Sequence, residues 1–579
     1  MRAQSRRLVP AVAAVAFGAA TVGLFVISRG KWSDAIIDSG REWIVPDALA
    51  RGELLYRDVV YWFGPFTPYF HAAFFRLFGS SFGTLVVAGV VGSVGVLATL
   101  YYSLRAVTGR REAVLWTALA VPALVFMPNA GGSILGMGYR IWHAAAFALA
   151  AITIVIETPK VRRSWAPSLA GTFAALAGLC RTEWGLITLA GAALVVFLRE
   201  TDRQRVWPKE LRLFGSFFVV FAGVFAFFGI RAGWGTFVRD APVLLLNLPA
   251  ETRSHPVLAG VSAWREGIWT LLYSTAMWLG VFVLVEITAL KRPDPLRARR
   301  RLVLLAVLLG VFAVAAWRGG GLSGGLIWSA APFLCAAACV VGLSSGRQPP
   351  ADALAGFGAL GLLLSHRRLF FIEDGPYVGP PLLFAFVCAA ALCSIAVSRE
   401  PAPTRERLSA GVAILLVLLT GVAFASRLLK YGKDDRVPIG GTAGFLSARA
   451  ELAREIEELG ATIRSKSGEK DGLVVFPEGE ILNFLSGRRN PVRHKLYLPG
   501  YVNDRNEGEI LRELQMASPA AVVIWRRALG EYGAGSFGED YGREIRWWIG
   551  ENYDRRSFRR TAPAEASHFE YYTRRNSVR

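Results

Sequence analysis

Three acidic residues follow the first apolar run of the chain at intervals of four. Asp34, Asp38 and Glu42 lie within WSDAIIDSGREW, residues 32–43. If this stretch continues as helix, the three carboxylates share one face, with Arg41 one turn from Asp38. A carboxylate in such a group can take the proton of a hydroxyl, and acids nearby favour its protonated form. A helix that simply ends in solvated acids has the same pattern, so both interpretations stay open.

Cationic residues that could bind a phosphate group occur in three later segments. They are Arg140 in GGSILGMGYRIWH, Arg181 in LAGLCRTEWG, and Arg367 and Arg368 in SHRRLFFIEDGPY. The alternative for each is anchoring at the membrane interface, where arginine is common at helix ends. For Arg181, the nearby Glu183 is a candidate ion-pair partner.

A second set of residues is a candidate for binding an acceptor molecule. Arg488 and Arg493 lie in the basic, aromatic run FPEGEILNFLSGRRNPVRHKLYLPGY, residues 476–501. Such a run suits a phosphate, a lipid head group or an anionic glycan, or else a loop held at a membrane surface. Glu183 and His366 belong to the same candidate set, although a lone histidine near an interface is more often a hydrogen-bonding residue of the structure.

The composition indicates an integral membrane protein. Of the 579 residues, 53% are hydrophobic, which is more than a soluble globular chain of this size carries. The net charge of +21 does not indicate nucleic-acid binding, because the cations cluster in short loops between apolar runs. All five cysteines fall inside apolar segments, so neither a disulfide framework nor a zinc site is predicted.

The apolar runs predict about thirteen transmembrane helices. They lie at about 9–28, 82–104, 113–128, 141–157, 166–180, 184–198, 213–231, 266–290, 302–317, 326–344, 351–365, 381–398 and 408–427. A cytoplasmic N-terminus then puts five basic loops on the cytoplasmic side. The long loops at 29–81, 129–140, 231–265 and 366–380 face outward. The first run is read as a retained helix rather than a cleaved signal peptide, and 166–198 as two short helices.

The chain divides into two predicted domains. Residues 1–429 form the transmembrane domain, with 29–81 as its first external loop. Residues 430–579 form a small soluble α/β domain, which an odd number of crossings places outside the membrane. Within it, GFLSARAELAREIEELGATI, EGEILRELQMA and GREIRWWIGENY predict helices, while GLVVF and AAVVIW predict short buried strands.

The first external loop resembles that of the GT-C superfamily of membrane glycosyltransferases, in particular the family 39 relatives of protein mannosyltransferases and aminoarabinose transferases. Such members show an acid after the first helix, a short helix, G-x-x-x-Y-x-D, a proline-rich turn, and an amphipathic helix ending in Phe-Gly. The matching positions are Asp38, Gly52, Tyr56, Asp58, Pro65, Pro68, Phe78 and Gly79. Many members have an Asp-Glu pair where this chain has Asp38-Ser39, and Glu42 is a candidate for the second carboxylate.

The resemblance implies transfer of a sugar from a polyprenyl-phosphate donor to a hydroxyl on a protein, lipid or glycan at the outer face of a bacterial inner membrane. For such a reaction we expect Asp38 to be the base, supported by Asp34 and Glu42, and the arginines above, which the predicted topology places at the outer membrane surface, to bind the donor phosphate. A divalent cation, Mg or Mn, is compatible with the acids, but no metal ligand is assigned. The alternatives are a multi-pass transporter or lipid flippase, and a scaffold whose outer domain binds a partner. Neither the sugar nor the acceptor follows from the sequence.

Overall fold

The computed structural model describes most of the chain and divides it into two compact units. The described residues are 2–127, 134–136, 138–157, 164–200, 203–240, 325–344, 351–364, 379–532, 534–558 and 567–575. The first unit comprises Met1–Trp32, Val90–Phe221 and Ala263–Asp434, and the second comprises Ser33–Gly89, Ala222–Ser262 and Asp435–Arg579. The predicted external loop 29–81 and the C-terminal region therefore contribute mainly to the same unit. The predicted domain boundary at residue 429 stays a prediction.

The transmembrane part of the chain is built from long apolar helices. Their bounds are α1 Arg2–Ser28, α4 Phe82–Val107, α5 Arg110–Ala120, α6 Tyr139–Glu157, α7 Ala166–Cys180, α8 Thr182–Arg199, α9 Arg203–Ala232, α11 Gly325–Ser344, α12 Ala351–Leu364, α13 Pro381–Ser398 and α14 Ala402–Gly432. A short π-helical segment, Val121–Val125, extends α5, and the short α10 spans Trp234–Asp240.

Seven of these described helices are long and apolar enough to cross a membrane. They are Ala11–Ser28, Phe82–Val107, Tyr139–Glu157, Thr182–Arg199, Gln204–Ala232, Pro381–Ser398 and Ala402–Gly432. The protein is thus a polytopic helical membrane protein. The predicted spans at 266–290 and 302–317 lie outside the described residues, so the count of thirteen stays a prediction.

The segment 166–198 forms two short helices, as the sequence predicted. Helices α7 and α8 are separated only by Arg181. They approach closely at two glycines, since a Cβ atom added to Gly185 would lie 2.5 Å from the Cα atom of Gly178. Small residues at such a crossing let two apolar helices pack backbone against backbone.

The second unit begins with two helices of the first external loop. Helix α2 spans Ser39–Ala50 and α3 spans Phe66–Phe78. The end of α3 is marked by Gly79, whose φ of 84° lies in the left-handed region that favours glycine. The short helix and the amphipathic helix implied by the resemblance are therefore both present.

The C-terminal region contains a four-stranded sheet in the order β3-β4-β6-β5. These strands are β3 Leu473–Phe476, β4 Ala521–Trp525, β5 Tyr553–Arg556 and β6 Phe569–Arg574. Strands β3 and β4 are parallel, and the other two pairs are antiparallel. The strands β1 Val437–Pro438 and β2 Ser447–Ala448 form a separate antiparallel pair.

The helices of this region are α15 Ala450–Lys466, α16 Ile481–Ser486, α17 Glu507–Ala517 and α18 Arg543–Asn552. The two predicted strands and the helices predicted from EGEILRELQMA and GREIRWWIGENY lie where the sequence placed them. The helix predicted over 444–463 begins only at Ala450, because Ser447 and Ala448 form strand β2, and α16, β1, β2, β5 and β6 were not predicted. One core joins the sheet to the helices and includes Val474, Ile510, Val522 and Ile545. That this region is an independent soluble domain stays a prediction.

Within the second unit, the N-terminus of α2 packs directly on the start of α16. A Cβ atom added to Gly40 would lie 2.8 Å from the backbone nitrogens of Glu480 and Ile481. These neighbours are backbone atoms, which cannot move aside as a flexible side chain can. Only a residue without a side chain permits this contact.

We expect Gly40→Ala to lower the stability of the protein by about 1–3 kcal/mol through overpacking. The matched control is Gly508→Ala, because an added Cβ at this helical glycine meets nothing within 4 Å, and alanine favours helix by about 0.5–1 kcal/mol. Thermal unfolding of the detergent-purified variants measures both changes. A Gly40→Ala protein as stable as wild type would contradict the close packing of α2 on α16.

Candidate functional site

Asp34 forms a turn rather than the start of a helix. Its Oδ1 atom accepts hydrogen bonds from the backbone N–H groups of Ile36 at 2.8 Å and Ile37 at 2.9 Å. Because an aspartate that binds its own backbone in this way competes with helix formation, α2 begins only at Ser39. The prediction that Asp34, Asp38 and Glu42 share one helical face is therefore wrong.

Asp38 occupies the position before α2 in an unusual backbone conformation. Its φ is 65° and its ψ is −40°, and its carbonyl oxygen accepts the N–H group of Glu42 at 2.9 Å. A non-glycine residue with positive φ costs on the order of 1–3 kcal/mol and persists only where its surroundings hold it. The carboxylate forms an ion pair with the guanidinium of Arg41 and is 28% exposed. Asp38 is thus a strained, partly accessible carboxylate with a fixed partner.

Arg41 is a buried cation surrounded by acids. Its Nη2 atom contacts Asp38 and lies 4.0 Å from Oε1 of Glu42, which is itself buried. Burial opposes the charge of the guanidinium, but the Asp38 and Glu42 carboxylates more than offset it and raise the pKa of Arg41. The Nε atom of Arg41 is buried without a hydrogen-bond partner.

The C-terminal region adds a carboxyl group to this cluster that the sequence analysis missed. Glu480 precedes α16 and is only 2% exposed. Its Oε2 atom accepts the N–H group of Gly479 at 3.2 Å, while Oε1 is buried without a hydrogen-bond partner. Burial raises the pKa of Glu480 to about 7, an effect that Arg41 opposes and Asp38 increases. The charges of both Arg41 and Asp38, the ion pair at the N-terminus of α2, therefore affect the pKa of Glu480.

A signal for Glu480 was present in the sequence. The segment PEGE, residues 477–480, places two glutamates between the apolar strand β3 and the apolar start of α16. Acids are rarely fully buried unless they are paired or have a function. Glu478 is paired, because it forms a buried ion pair with Arg527, whereas Glu480 has no such partner among the contacts that the structure describes.

The G-x-x-x-Y-x-D motif of the resemblance builds the turn after α2. Gly52 has a φ of 101°, which favours glycine. The hydroxyl group of the buried Tyr56 donates to the carbonyl oxygen of Phe63 at 2.6 Å, and Oδ2 of Asp58 accepts the N–H group of Leu54 at 2.8 Å. These residues therefore hold the loop in shape.

The basic run after α16 binds the external loop. Nε of Arg493 donates to the carbonyl oxygen of Arg57 at 2.7 Å, and Nη2 donates to that of Tyr56 at 3.2 Å. Burial lowers the pKa of Lys495 to about 8, and its Nζ atom lies 3.7 Å from Oε2 of Glu53. These contacts give the run a structural role that the sequence did not predict.

Arg488 forms hydrogen bonds with residues at the C-terminal ends of helices α15 and α16. Its guanidinium donates to the carbonyl oxygens of Arg464 at 3.0 Å and Ser486 at 3.1 Å, and to the hydroxyl group of Ser467 at 2.9 Å. A cation on carbonyl groups at a helix C-terminus is stabilising. These bonds account for Arg488, and its predicted role in acceptor binding stays untested.

The candidate phosphate-binding residues belong to the first unit. Arg140 is buried in the first turn of α6. Arg181 lies between α7 and α8, with Nη2 at 2.5 Å from Oε1 of Glu183, so the predicted ion pair is confirmed. The predicted residues His366, Arg367 and Arg368 lie outside the described residues.

The described residues do not form an evident metal site. They contain no group of three or more histidine, cysteine, aspartate or glutamate residues that could hold an ion. In addition, Arg41 already neutralises the Asp38 carboxylate, so a bound cation would have to displace a buried guanidinium. The residues present therefore do not fit a divalent cation at Asp38.

The fold of the chain is similar to that of two solved structures with low sequence identity to it. No family model and no curated protein matches the chain. The chain is similar to the crystal structure of ArnT from Cupriavidus metallidurans bound to undecaprenyl phosphate, with a TM-score of 0.51 and 13% identity over 97% of this chain and 98% of that chain.

A second similar structure is the Archaeoglobus fulgidus oligosaccharyltransferase in complex with Zn and sulfate. Its TM-score is 0.50 and its identity 14%, over 88% of this chain and 68% of that chain. At these identities the likeness establishes the fold.

The elevated pKa of Glu480 predicts a pH-dependent stability. Because this pKa is about 7, above the usual 4.5, the folded protein holds the proton more tightly than the unfolded chain. The resulting stability is complete below about pH 4.5 and is lost as the pH rises through about 7. Glu480→Gln stays neutral, so we expect it to exceed wild type in stability at pH 8, by an amount on the order of 3 kcal/mol, and to match it near pH 4.

Thermal unfolding at the two pH values measures this difference. The control is Asp504→Asn, which alters an exposed acid of the same unit and should change neither value. A Glu480→Gln protein whose stability relative to wild type is the same at both pH values would contradict the raised pKa of Glu480.

Proposed function

We propose that the protein is a glycosyltransferase that moves a sugar from a polyprenyl-phosphate donor to a hydroxyl acceptor at the outer face of the membrane. The observation that carries the proposal is Asp38, a strained and partly exposed carboxylate next to a buried arginine in a chain with the GT-C fold. Strain of this kind concentrates at functional sites. The similar ArnT structure is bound to undecaprenyl phosphate, which supports a donor of this chemistry.

In the proposed reaction Asp38 acts as the general base. The acceptor hydroxyl loses its proton to the Asp38 carboxylate as its oxygen attacks the anomeric carbon of the sugar. The bond between that carbon and the phosphate oxygen breaks, and the polyprenyl phosphate leaves with the electron pair. Arg41 keeps the carboxylate in place before the reaction and limits its freedom to rotate away from the acceptor.

The leaving phosphate needs cations, and we assign this role to Arg140 and Arg181, together with Arg367 and Arg368. Arg140 is buried at a helix N-terminus, where backbone N–H groups also favour an anion. Glu183 then orients Arg181 through their ion pair.

The acceptor side of the site is assigned less directly. His366 and Arg493 remain the proposed contacts for the acceptor, with Arg493 acting through its hold on the external loop. The C-terminal region, residues 430–579, is proposed to lie outside the membrane. No step is routed through a divalent cation, and a transporter or flippase is not favoured, since the fold is that of glycosyltransferases.

We expect Asp38→Asn to lower transfer by about 10²–10⁴-fold, the usual contribution of a general base. The measurement is sugar transfer or hydrolysis by detergent-purified protein with a panel of polyprenyl-phosphate sugars. Binding of undecaprenyl phosphate, followed by thermal shift, should be unchanged in the variant because the proposed phosphate-binding arginines are intact.

The matched control is Asp504→Asn, which removes an exposed carboxylate of the same unit and should keep full activity. Equal activity of wild type and Asp38→Asn would retain the enzyme and reject Asp38 as the base. The absence of turnover and of carrier binding with every donor would reject the proposed function.

A further inference from the structure

An unpartnered acceptor and an unpartnered donor of opposite charge lie in the same buried cluster of the second unit. The acceptor is Oε1 of Glu480 and the donor is Nε of Arg41. The two residues are brought together by the contact between Gly40 and the backbone of Glu480. A buried polar atom without a partner is costly in free energy, so its presence at this position calls for a functional reason.

The charges of the cluster do not balance if every acid is ionised. Arg41 supplies one positive charge, while Asp38, Glu42 and Glu480 carry three carboxyl groups. Glu480 is only 2% exposed, and its pKa of about 7 makes it a group that takes up a proton near neutral pH. Tyr497 also interacts with Glu480: burial raises the pKa of the Tyr497 hydroxyl group, and the charge of Glu480 adds to this increase.

We propose that Glu480 is a positioning residue of the transfer reaction, whose carboxyl group shares Arg41 with Asp38 and so sets how strongly Arg41 restrains the Asp38 base. This inference rests on the function proposed above and deepens it. The C-terminal region would then control the base supplied by the external loop, without itself touching the sugar or the acceptor.

The coupling has a defined direction. When Glu480 is neutral, the Arg41 guanidinium interacts with Asp38 without competition from the Glu480 carboxyl group. When Glu480 loses its proton to solvent, its negative charge attracts Arg41 and repels the negative charge of Asp38. Both effects loosen the ion pair between Asp38 and Arg41, which leaves the Asp38 carboxylate more available to the acceptor hydroxyl, so turnover rises as Glu480 ionises.

The first experiment is the pH profile of kcat for wild type, Glu480→Gln, Glu480→Asp and Glu478→Gln. We expect the wild-type rate to rise through about pH 7, and Glu480→Gln to lose this rise while retaining slow turnover and an unchanged KM for the donor. Glu480→Asp keeps a carboxyl group and should restore a rise, at a shifted pH.

The matched control, Glu478→Gln, removes the neighbouring buried carboxyl group that pairs with Arg527. It should keep the rise even if it is less stable. A profile of Glu480→Gln that retains the wild-type rise would overturn the proposal, as would a loss of the rise in both variants to the same extent.

The second experiment does not depend on turnover. Infrared difference spectroscopy follows the carbonyl stretch of a protonated carboxyl group during a pH titration, and the signal of Glu480 is the one absent from Glu480→Gln. Since Asp38 raises the pKa of Glu480, Asp38→Asn should move this titration to lower pH.

An unshifted titration in Asp38→Asn would show that the two carboxyl groups are not coupled and would overturn the proposal. If wild type transfers no sugar from any donor, the proposed function fails, while the infrared titration still decides whether Glu480 and Asp38 are coupled through Arg41.

Discussion

The organisation of the second unit depends on one buried guanidinium. Arg41 lies in the first turn of α2, where it pairs with Asp38 and approaches Glu42. A charge taken out of water is tolerated only when opposite charges surround it. The ion pair offsets the desolvation of Arg41 and helps to hold Asp38 in its left-handed backbone conformation. The same interaction therefore supports the fold and fixes the position of the carboxylate that we propose as the base.

The C-terminal region stabilises this arrangement from the opposite side. The start of α16 lies against Gly40, and Arg493 donates to backbone carbonyl oxygens of the turn after α2. Trp62 of the external loop stacks on Tyr501, with ring centroids 3.5 Å apart and planes inclined by 2°. A reactive group held by several surrounding contacts needs little reorganisation when it reacts. The external loop and the C-terminal region thus belong to one structural unit, although Arg57 and Arg493, which are in contact, are 436 positions apart in the chain.

Several elements could be predicted because their signals are local. Apolar runs such as 381–398 predict helices of membrane length, and the Gly52, Pro65 and Gly79 positions mark the ends of α2 and α3. The amphipathic pattern of 444–463 likewise anticipates α15. The start of α2 was misjudged, because the four-residue spacing of the acids fits a helix as well as it fits the turn that Asp34 forms with its own backbone.

The sequence by itself determined the membrane class of the protein, the short elements of its external loop and Asp38 as the residue to examine, because hydropathy and turn chemistry act over a few neighbouring residues. Only the tertiary structure decided which groups meet Asp38. It brought Glu480 to the N-terminus of α2 and left its Oε1 atom without a hydrogen-bond partner. It also placed the basic run in contact with the external loop, through Arg493 and Lys495. Such contacts join residues hundreds of positions apart. Their energies depend on burial and mutual distance, which a pattern of residue types along the chain does not contain.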